Sequence, residues 1–179
     1  MNNIQDIYQK SLKFAAQLHT DKNQTIPGTN LPYVVHLSNV AMEILIASEK
    51  SENFDTEFAV QIALLHDTLE DTDVTFEQLE NEFGKKVAES VLALTKNSDL
   101  EKSGKMMDSL KRIKQQPREV WAVKLADRIT NLQPPPHFWT SEKIRKYKEE
   151  AQIILEELRS GNEYLESRLK EKIEEYNNL

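Results

Sequence analysis

Apolar residues recur every three or four positions along almost the whole chain, and little interrupts them. Four glycines and six prolines in 179 residues are too few turn formers for a series of hairpins. The pattern predicts an all-α protein, folded as one domain over residues 1–179. Helices are expected over about 3–20, 32–47 and 55–71, then a short one ending near Gly84 and another reaching about Thr95. Further helices are expected over about 105–114, from Pro117 to the Pro134–Pro136 run, and over 140–159 and 162–176, split at Gly161. In the first, Ile4, Tyr8, Leu12, Ala15 and Leu18 face inward. Pro27, Gly28 and Asn30 mark a loop, and Pro32 suits a first helical position. Thr75 and Gln78 have the spacing of a capping box. Residues 97–104 are polar, contain Gly104, and read as a mobile connection.

Composition excludes several classes. No apolar run approaches the ~18 residues of a membrane helix, and the mixed-charge start MNNIQDIYQK is unlike a signal peptide. With no cysteine, disulfides, thiolate zinc sites and cysteine catalysis drop out, and the expected compartment is the cytoplasm. A net charge of −7 argues against a nucleic-acid partner, which would need a basic face. A homo-oligomer is compatible with the sequence but not readable from it.

The informative residues are polar ones where apolar ones belong. Tyr33, Leu37, Val40, Ala41 and Ile44 share a helical face, and His36 lies on it. Phe58, Ile62, Leu65 and Leu69 share another, with His66 on it and Asp67 beside it. Val120 and Val123 define a third, whose next member is Asp127. A single inward histidine is more often a hydrogen-bonded core residue than a ligand, and Asp127 beside Arg128 reads equally as an ion pair. Four such positions on three helices are harder to explain that way. Buried carboxylates cost several kcal/mol without a cation, and no Lys or Arg shares those stripes, although Lys124 and Arg128 are close in sequence. A divalent metal would satisfy both carboxylates and both imidazoles, and the N/O donor set suits Mn2+, Fe2+ or Zn2+. Glu70 and Asp71 follow His66 and Asp67 by four, one turn further on the same face. There they crowd negative charge at a helix C-terminus, against the helix dipole.

The stretches PYVVH (32–36), ALLHDTLEDTDVTFEQLENEFGKKVAESV (63–91) and VKLADRITNL (123–132) resemble the HD-domain metal-dependent phosphohydrolases. More closely, nearly the whole chain resembles the small alarmone hydrolases, stand-alone relatives of the RelA/SpoT hydrolase domain. Trp139, Arg145 and Tyr147 also fit. The resemblance implies a single-domain HD-domain helical bundle with one Mn2+ at His36, His66, Asp67 and Asp127. It implies hydrolysis of the 3′-pyrophosphate of ppGpp, a nucleotide partner, and catalysis by Glu70 and Asp71. Asn131, Arg145 and Tyr147 match positions near the nucleotide, while Lys124, Arg128 and Lys22 are candidates to offset phosphate charge. His19 is expected to be structural, aiding a helix dipole, and His137 to be a loop residue near the site mouth.

The chain departs from the family in three places. Thr25, Ile26 and Pro27 stand where ppGpp-hydrolysing members carry a basic pair, with Lys22 the nearest cation. A further family lysine aligns near Ser98, flanked by Lys96 and Lys102, and the proline run replaces a charged continuation. The reaction class is therefore better specified than the substrate. Two other functions fit the same residues: a phosphatase for another ester such as NADPH, or a non-catalytic nucleotide- or protein-binding module with a structural metal. Retention of both Glu70 and Asp71 favours the enzyme. A synthetase domain would not fit in the remaining length.

Overall fold

The structure is a computed structural model that describes residues 3–176. It is an all-α bundle: α1 (Ile4–Asp21), α2 (Val34–Glu49), α3 (Thr56–Leu65), α4 (Thr68–Asp71), α5 (Phe76–Phe83), α6 (Lys85–Leu94), α7 (Lys102–Ile113), α8 (Arg118–Asn131), α9 (Ser141–Leu158) and α10 (Glu163–Glu175). A 3-10 turn, Arg159–Gly161, joins the last two. Among the described residues there is no strand, only an isolated bridge between Thr25 and Pro32, and no helix is long and apolar enough to cross a membrane. The inner layer is α3, packed on α1, α2 and α8. Leu37 and Ile44 of α2, Ile62 and Leu65 of α3 and Val123 of α8 are fully buried, each contributing roughly 1.5–3 kcal/mol by leaving water. The polar residues of the stripes are therefore fixed by the rigid centre of the bundle.

Three expected boundaries change, each for a local reason. The helix expected over 55–71 breaks after Leu65. There His66 Nδ1 donates to the Ala63 carbonyl at 2.8 Å and Thr68 Oγ1 to the Leu65 carbonyl at 2.7 Å. Those side chains take carbonyls the backbone ladder would have used. Glu70 and Asp71 thus sit on the separate turn α4, not at the end of a long helix. Second, α2 begins two residues after Pro32, because Tyr33 N–H bonds back to the Gln24 carbonyl at 3.1 Å and closes the loop on itself. Third, α7 starts at Lys102 and takes in Gly104. Packing of Leu110 and Ile113, with Arg112 bonding the carbonyls of Leu92, Ala93 and Thr95, outweighs the ~1 kcal/mol a helical glycine costs. The capping box at Thr75 and Gln78 forms with both bonds.

The loop at residues 22–33 meets the one at 132–140. Gly28 has φ +80°, and a Cβ there would stand 3.0 Å from Pro136 Cβ and Cγ. Only glycine supplies both the left-handed backbone and the close approach.

Candidate metal and phosphate site

The break at His66 turns two consecutive side chains into one centre. There His66 Nε2 lies 3.0 Å from Asp67 Oδ2, 3.4 Å from His36 Nε2 and 3.7 Å from Asp127 Oδ1. His36 Nε2 is 3.7 Å from Asp67 Oδ2 and 3.5 Å from Asp127 Oδ1. All four residues expected as metal ligands are thus brought together, from α2, the α3–α4 junction and α8.

The hydrogen bonds behind the rings fix what this centre presents. A carbonyl only accepts, so His66 Nδ1 carries the proton it gives to Ala63 O. Thr130 Oγ1 donates to Asp127 O at 2.9 Å, which leaves the Thr130 hydroxyl oxygen to accept from His36 Nδ1 at 3.5 Å. With the second His66 proton displaced, both Nε2 lone pairs would face two carboxylate oxygens. Four acceptors converge on one point, and only a cation satisfies them together. The donor set, two imidazole nitrogens and two carboxylate oxygens with no sulfur, fits a divalent metal.

The centre favours positive charge strongly enough to hold a proton on His66 Nε2, which a bound ion would displace. Burial opposes the Asp67 charge, but His66 beside it more than compensates and holds it below the usual carboxylate range. Asp127 is likewise held well below, with burial overcome by Lys124 and the two histidines. Burial also opposes charge on His66, yet Asp67 and the bond to Asp127 push it up to about 10. Tyr33, raised by burial and by Asp67, stays a protonated donor, and its phenol gives a 2.5 Å bond to Asp67 Oδ2.

Other predicted residues fall in three groups. Lys124 is part of the centre: its Nζ is 2.8 Å from Asp127 Oδ2, which corrects the expectation that no cation stands beside the buried carboxylates. Asn131 donates to Asp127 Oδ1 at 2.5 Å, so it orients that carboxylate and faces the adjoining cavity. Glu70 and Asp71 border the centre. Lys96 holds Glu70 through Nζ at 2.7 Å and its backbone N–H at 3.0 Å, and Gln24 Nε2 donates to Asp71 Oδ2 at 2.8 Å. Burial raises Asp71 against that bond.

Arg128 is buried and does not pair with Asp127. It stacks on Tyr147, 4.4 Å from guanidinium carbon to ring centroid, with Nη2 3.5 Å from Glu150. Burial pushes the Tyr147 phenol up to about 12. Tyr147 and Trp139, edge to face at 5.2 Å, line a cavity of about 140 Å³ with His36, Asn131, Ile26 and Pro27.

Two residues are not brought in. Lys22 pairs with exposed Asp73 at 2.5 Å, and Arg145 makes an exposed helical pair with Glu149 at 2.5 Å. His137 is an exposed loop residue against Phe138. His19 is buried and pushed down by burial, so its ring is neutral and adds no charge to the helix dipole. Its Nδ1 is 2.6 Å from Gln24 Oε1. Sequence reading missed Tyr33, Gln24 and Thr130 as supports. For Tyr33 the signal was a hydroxyl one turn before His36, on the same stripe.

An HD-domain family profile matches residues 11–161. The chain belongs to the HD-domain family. It is 35% identical over 167 residues to a guanosine-3′,5′-bis(diphosphate) 3′-pyrophosphohydrolase, MESH1, of Danio rerio, covering 90% of this chain and 89% of that one. The Homo sapiens protein of the same name is 32% identical over 162 residues, covering 88% and 87%. A solved structure described as a metazoan ortholog of SpoT that hydrolyzes ppGpp superposes with TM-score 0.80 at 29% identity, covering 97% of each chain.

Proposed function

We propose that the chain is a Mn2+-dependent 3′-pyrophosphohydrolase of guanosine-3′,5′-bis(diphosphate). The observation that carries this reading is the four-acceptor centre with an acidic pair on one side and an aromatic cavity on the other. His36, His66, Asp67 and Asp127 would hold the metal. When bound, such an ion lowers the pKa of water and polarises a phosphoryl oxygen. Absence of sulfur and an equal share of nitrogen and oxygen donors fit Mn2+ as they fit Fe2+ or Zn2+, and the family resemblance selects Mn2+ among them.

The chain's own residues supply the rest. Trp139 and Tyr147 offer stacking faces to the nucleoside beside His36 and Asn131. Asp71, fixed by Gln24, and Glu70, fixed by Lys96, orient the attacking water and accept its proton. The water oxygen bonds to the phosphorus on the ribose 3′-oxygen, that phosphorus–oxygen bond breaks, and the ribose oxygen takes the proton. GDP and inorganic pyrophosphate leave. Lys124 and Arg128 offset charge on the phosphoryl oxygens. The absent basic pair leaves Ile26 and Pro27 on the cavity wall, so stacking and apolar contact carry nucleoside recognition there.

The experiment is product analysis with purified protein and Mn2+, offering guanosine-3′,5′-bis(diphosphate) and NADPH in parallel. GDP and pyrophosphate from the first, lost in Glu70→Gln and Asp71→Asn, are the expected result. Orthophosphate from NADPH alone would make the chain a different HD phosphatase. No turnover of either would leave a binding module.

A further inference from the structure

The proposed reaction gives no role to His19, which lies in the last turn of α1 and is 1% exposed. Its partners tie together the supports of both Asp67 and Asp71. His19 Nδ1 is 2.6 Å from Gln24 Oε1, and Gln24 Nε2 donates to Asp71 Oδ2 at 2.8 Å. The backbones are joined as well: Gln24 N–H donates to the His19 carbonyl at 3.0 Å, and Tyr33 N–H to the Gln24 carbonyl at 3.1 Å. Tyr33, whose phenol holds Asp67, packs on the His19 ring at 4.8 Å. Asp67, Asp71 and His66 are the charged or titratable groups that face His19.

A glutamine amide fills nearly the same space with its oxygen and nitrogen exchanged, so hydrogen bonding decides which end meets Asp71. Two arrangements are consistent. In the first, neutral His19 carries its proton on Nδ1 and gives it to Oε1, and the N–H end of the amide serves the Asp71 carboxylate. In the second, His19 carries the proton on Nε2 and accepts at Nδ1 from the amide nitrogen. The amide oxygen then faces Asp71, which must be protonated to meet it. His19 Nε2 is buried without a hydrogen-bond partner, and this separates the two. The first arrangement leaves a bare lone pair there. The second leaves a buried N–H, and orphaned buried N–H groups are rarer than unmet acceptors. Burial also disfavours the doubly protonated ring. For Asp71, burial raises the pKa, the bond from Gln24 opposes it, Asp67 and Glu70 add to the rise, and His19 faces it from α1. We propose that His19, as a neutral Nδ1–H donor, is a positioning residue that sets the direction of the Gln24 amide, so that the amide N–H and not its oxygen meets the Asp71 carboxylate. The role rests on the reading under Proposed function, in which Asp71 helps to accept the proton of the attacking water.

Two measurements test it. Nitrogen-15 NMR of the full chain, loaded with diamagnetic Zn2+, reads the His19 tautomer, the signal being assigned by its loss in either His19 variant below. A protonated Nδ1 and a bare Nε2 are expected, and a proton on Nε2 overturns the proposal. The acid limb of the kcat/KM profile for Mn2+-dependent hydrolysis of guanosine-3′,5′-bis(diphosphate) reads the consequence in His19→Phe, His19→Asn, Gln24→Ala and the double variant His19→Phe/Gln24→Ala. Phenylalanine keeps a ring beside Tyr33 and removes the donor, whereas asparagine loses the ring and keeps an N–H at the place of Nδ1. A carboxylate that loses a donor has a raised pKa, so the limb is expected to move about one unit to higher pH in His19→Phe. It is expected to return toward native in His19→Asn, and to move no further in the double variant than in Gln24→Ala. Melting and metal content establish that each variant is folded, and a packing role alone would lower melting while leaving the limb in place. With hydrolysis intact, an unmoved limb in His19→Phe, or shifts that add in the double variant, overturns the proposal and leaves the reaction standing. No hydrolysis by the native chain overturns the reading under Proposed function. The Nδ1–H tautomer would then still support the bonded chain from His19 to Asp71, and the Nε2–H tautomer would overturn both.

Discussion

Tyr33→Phe isolates one hydrogen bond that sequence reading did not anticipate. The phenol donates to Asp67 Oδ2 at 2.5 Å, and a bond to a charged acceptor contributes about 1.5–3 kcal/mol. Phenylalanine keeps the ring that packs on His19 at 4.8 Å and on His36 at 5.1 Å, so little apolar contact is lost. Removing the donor frees Asp67 to rotate out of the centre. Outer partners of metal ligands typically contribute 10–100-fold to affinity, or about 1.4–2.7 kcal/mol, which matches the hydrogen-bond figure. The Kd for Mn2+, measured by chelator competition, is therefore expected to rise roughly 10–100-fold in the variant. Melting of the metal-free chain is expected to fall by roughly 3–12 °C. An unchanged Kd would show that Asp67 needs no support from Tyr33, or that it is not a ligand, and would refute the reasoning.

Three shorter predictions accompany it. Asp127→Asn removes a donor oxygen's charge and the partner of Lys124, and metal analysis is expected to fall from about one ion per chain toward none; equal metal in both proteins would remove Asp127 from the ligand set. Gln24→Ala deletes the bond that opposes the burial-raised pKa of Asp71, so the acid limb of the kcat/KM profile is expected to move to higher pH; an unmoved limb would show that Asp71 is not the titrating base. Gly161→Ala places a Cβ 2.7 Å from Trp121 Cβ and 3.3 Å from Ala122 N, a clash that is expected to cost about 1–3 kcal/mol in urea unfolding.

The helical stripes carried most of what was legible. Periods of three and four residues placed His36 and Asp127 on inward faces, and a buried helix face is a strong constraint on where a side chain ends up. The HD pair was harder, because consecutive residues on an unbroken helix diverge by about 100°. The break that reunites them is made by the side chains of His66 and Thr68 bonding to carbonyls within their own segment, which hydropathy does not register. Lys124 was read as a cation for phosphate and not as a partner of Asp127, because stripes record burial and not the reach of a lysine stem, which here brings Nζ to a carboxylate one turn away. Gln24 and Lys96 lie outside any periodic segment, in a loop and just past a helix end, so only the folded chain brings them to Asp71 and Glu70. Arg145 matches a motif position and Lys22 is the nearest cation to an unmatched one, but in each case a neighbouring acid claims the charge.

The Gly28–Pro136 contact clasps two loops that supply Ile26, Pro27, Pro134 and Trp139 to the aromatic cavity, while every proposed ion donor comes from the helical frame. The first of these loops also carries Gln24 and Tyr33, which hold Asp71 and Asp67, so those two residues belong to the chemistry. Exchanging the rest of the clasped pair as a unit would retune which base or sugar is accepted while leaving the reactive centre supported. Exchanging one loop alone would put a mismatched partner against Gly28, so transplants should respect the clasp as their boundary.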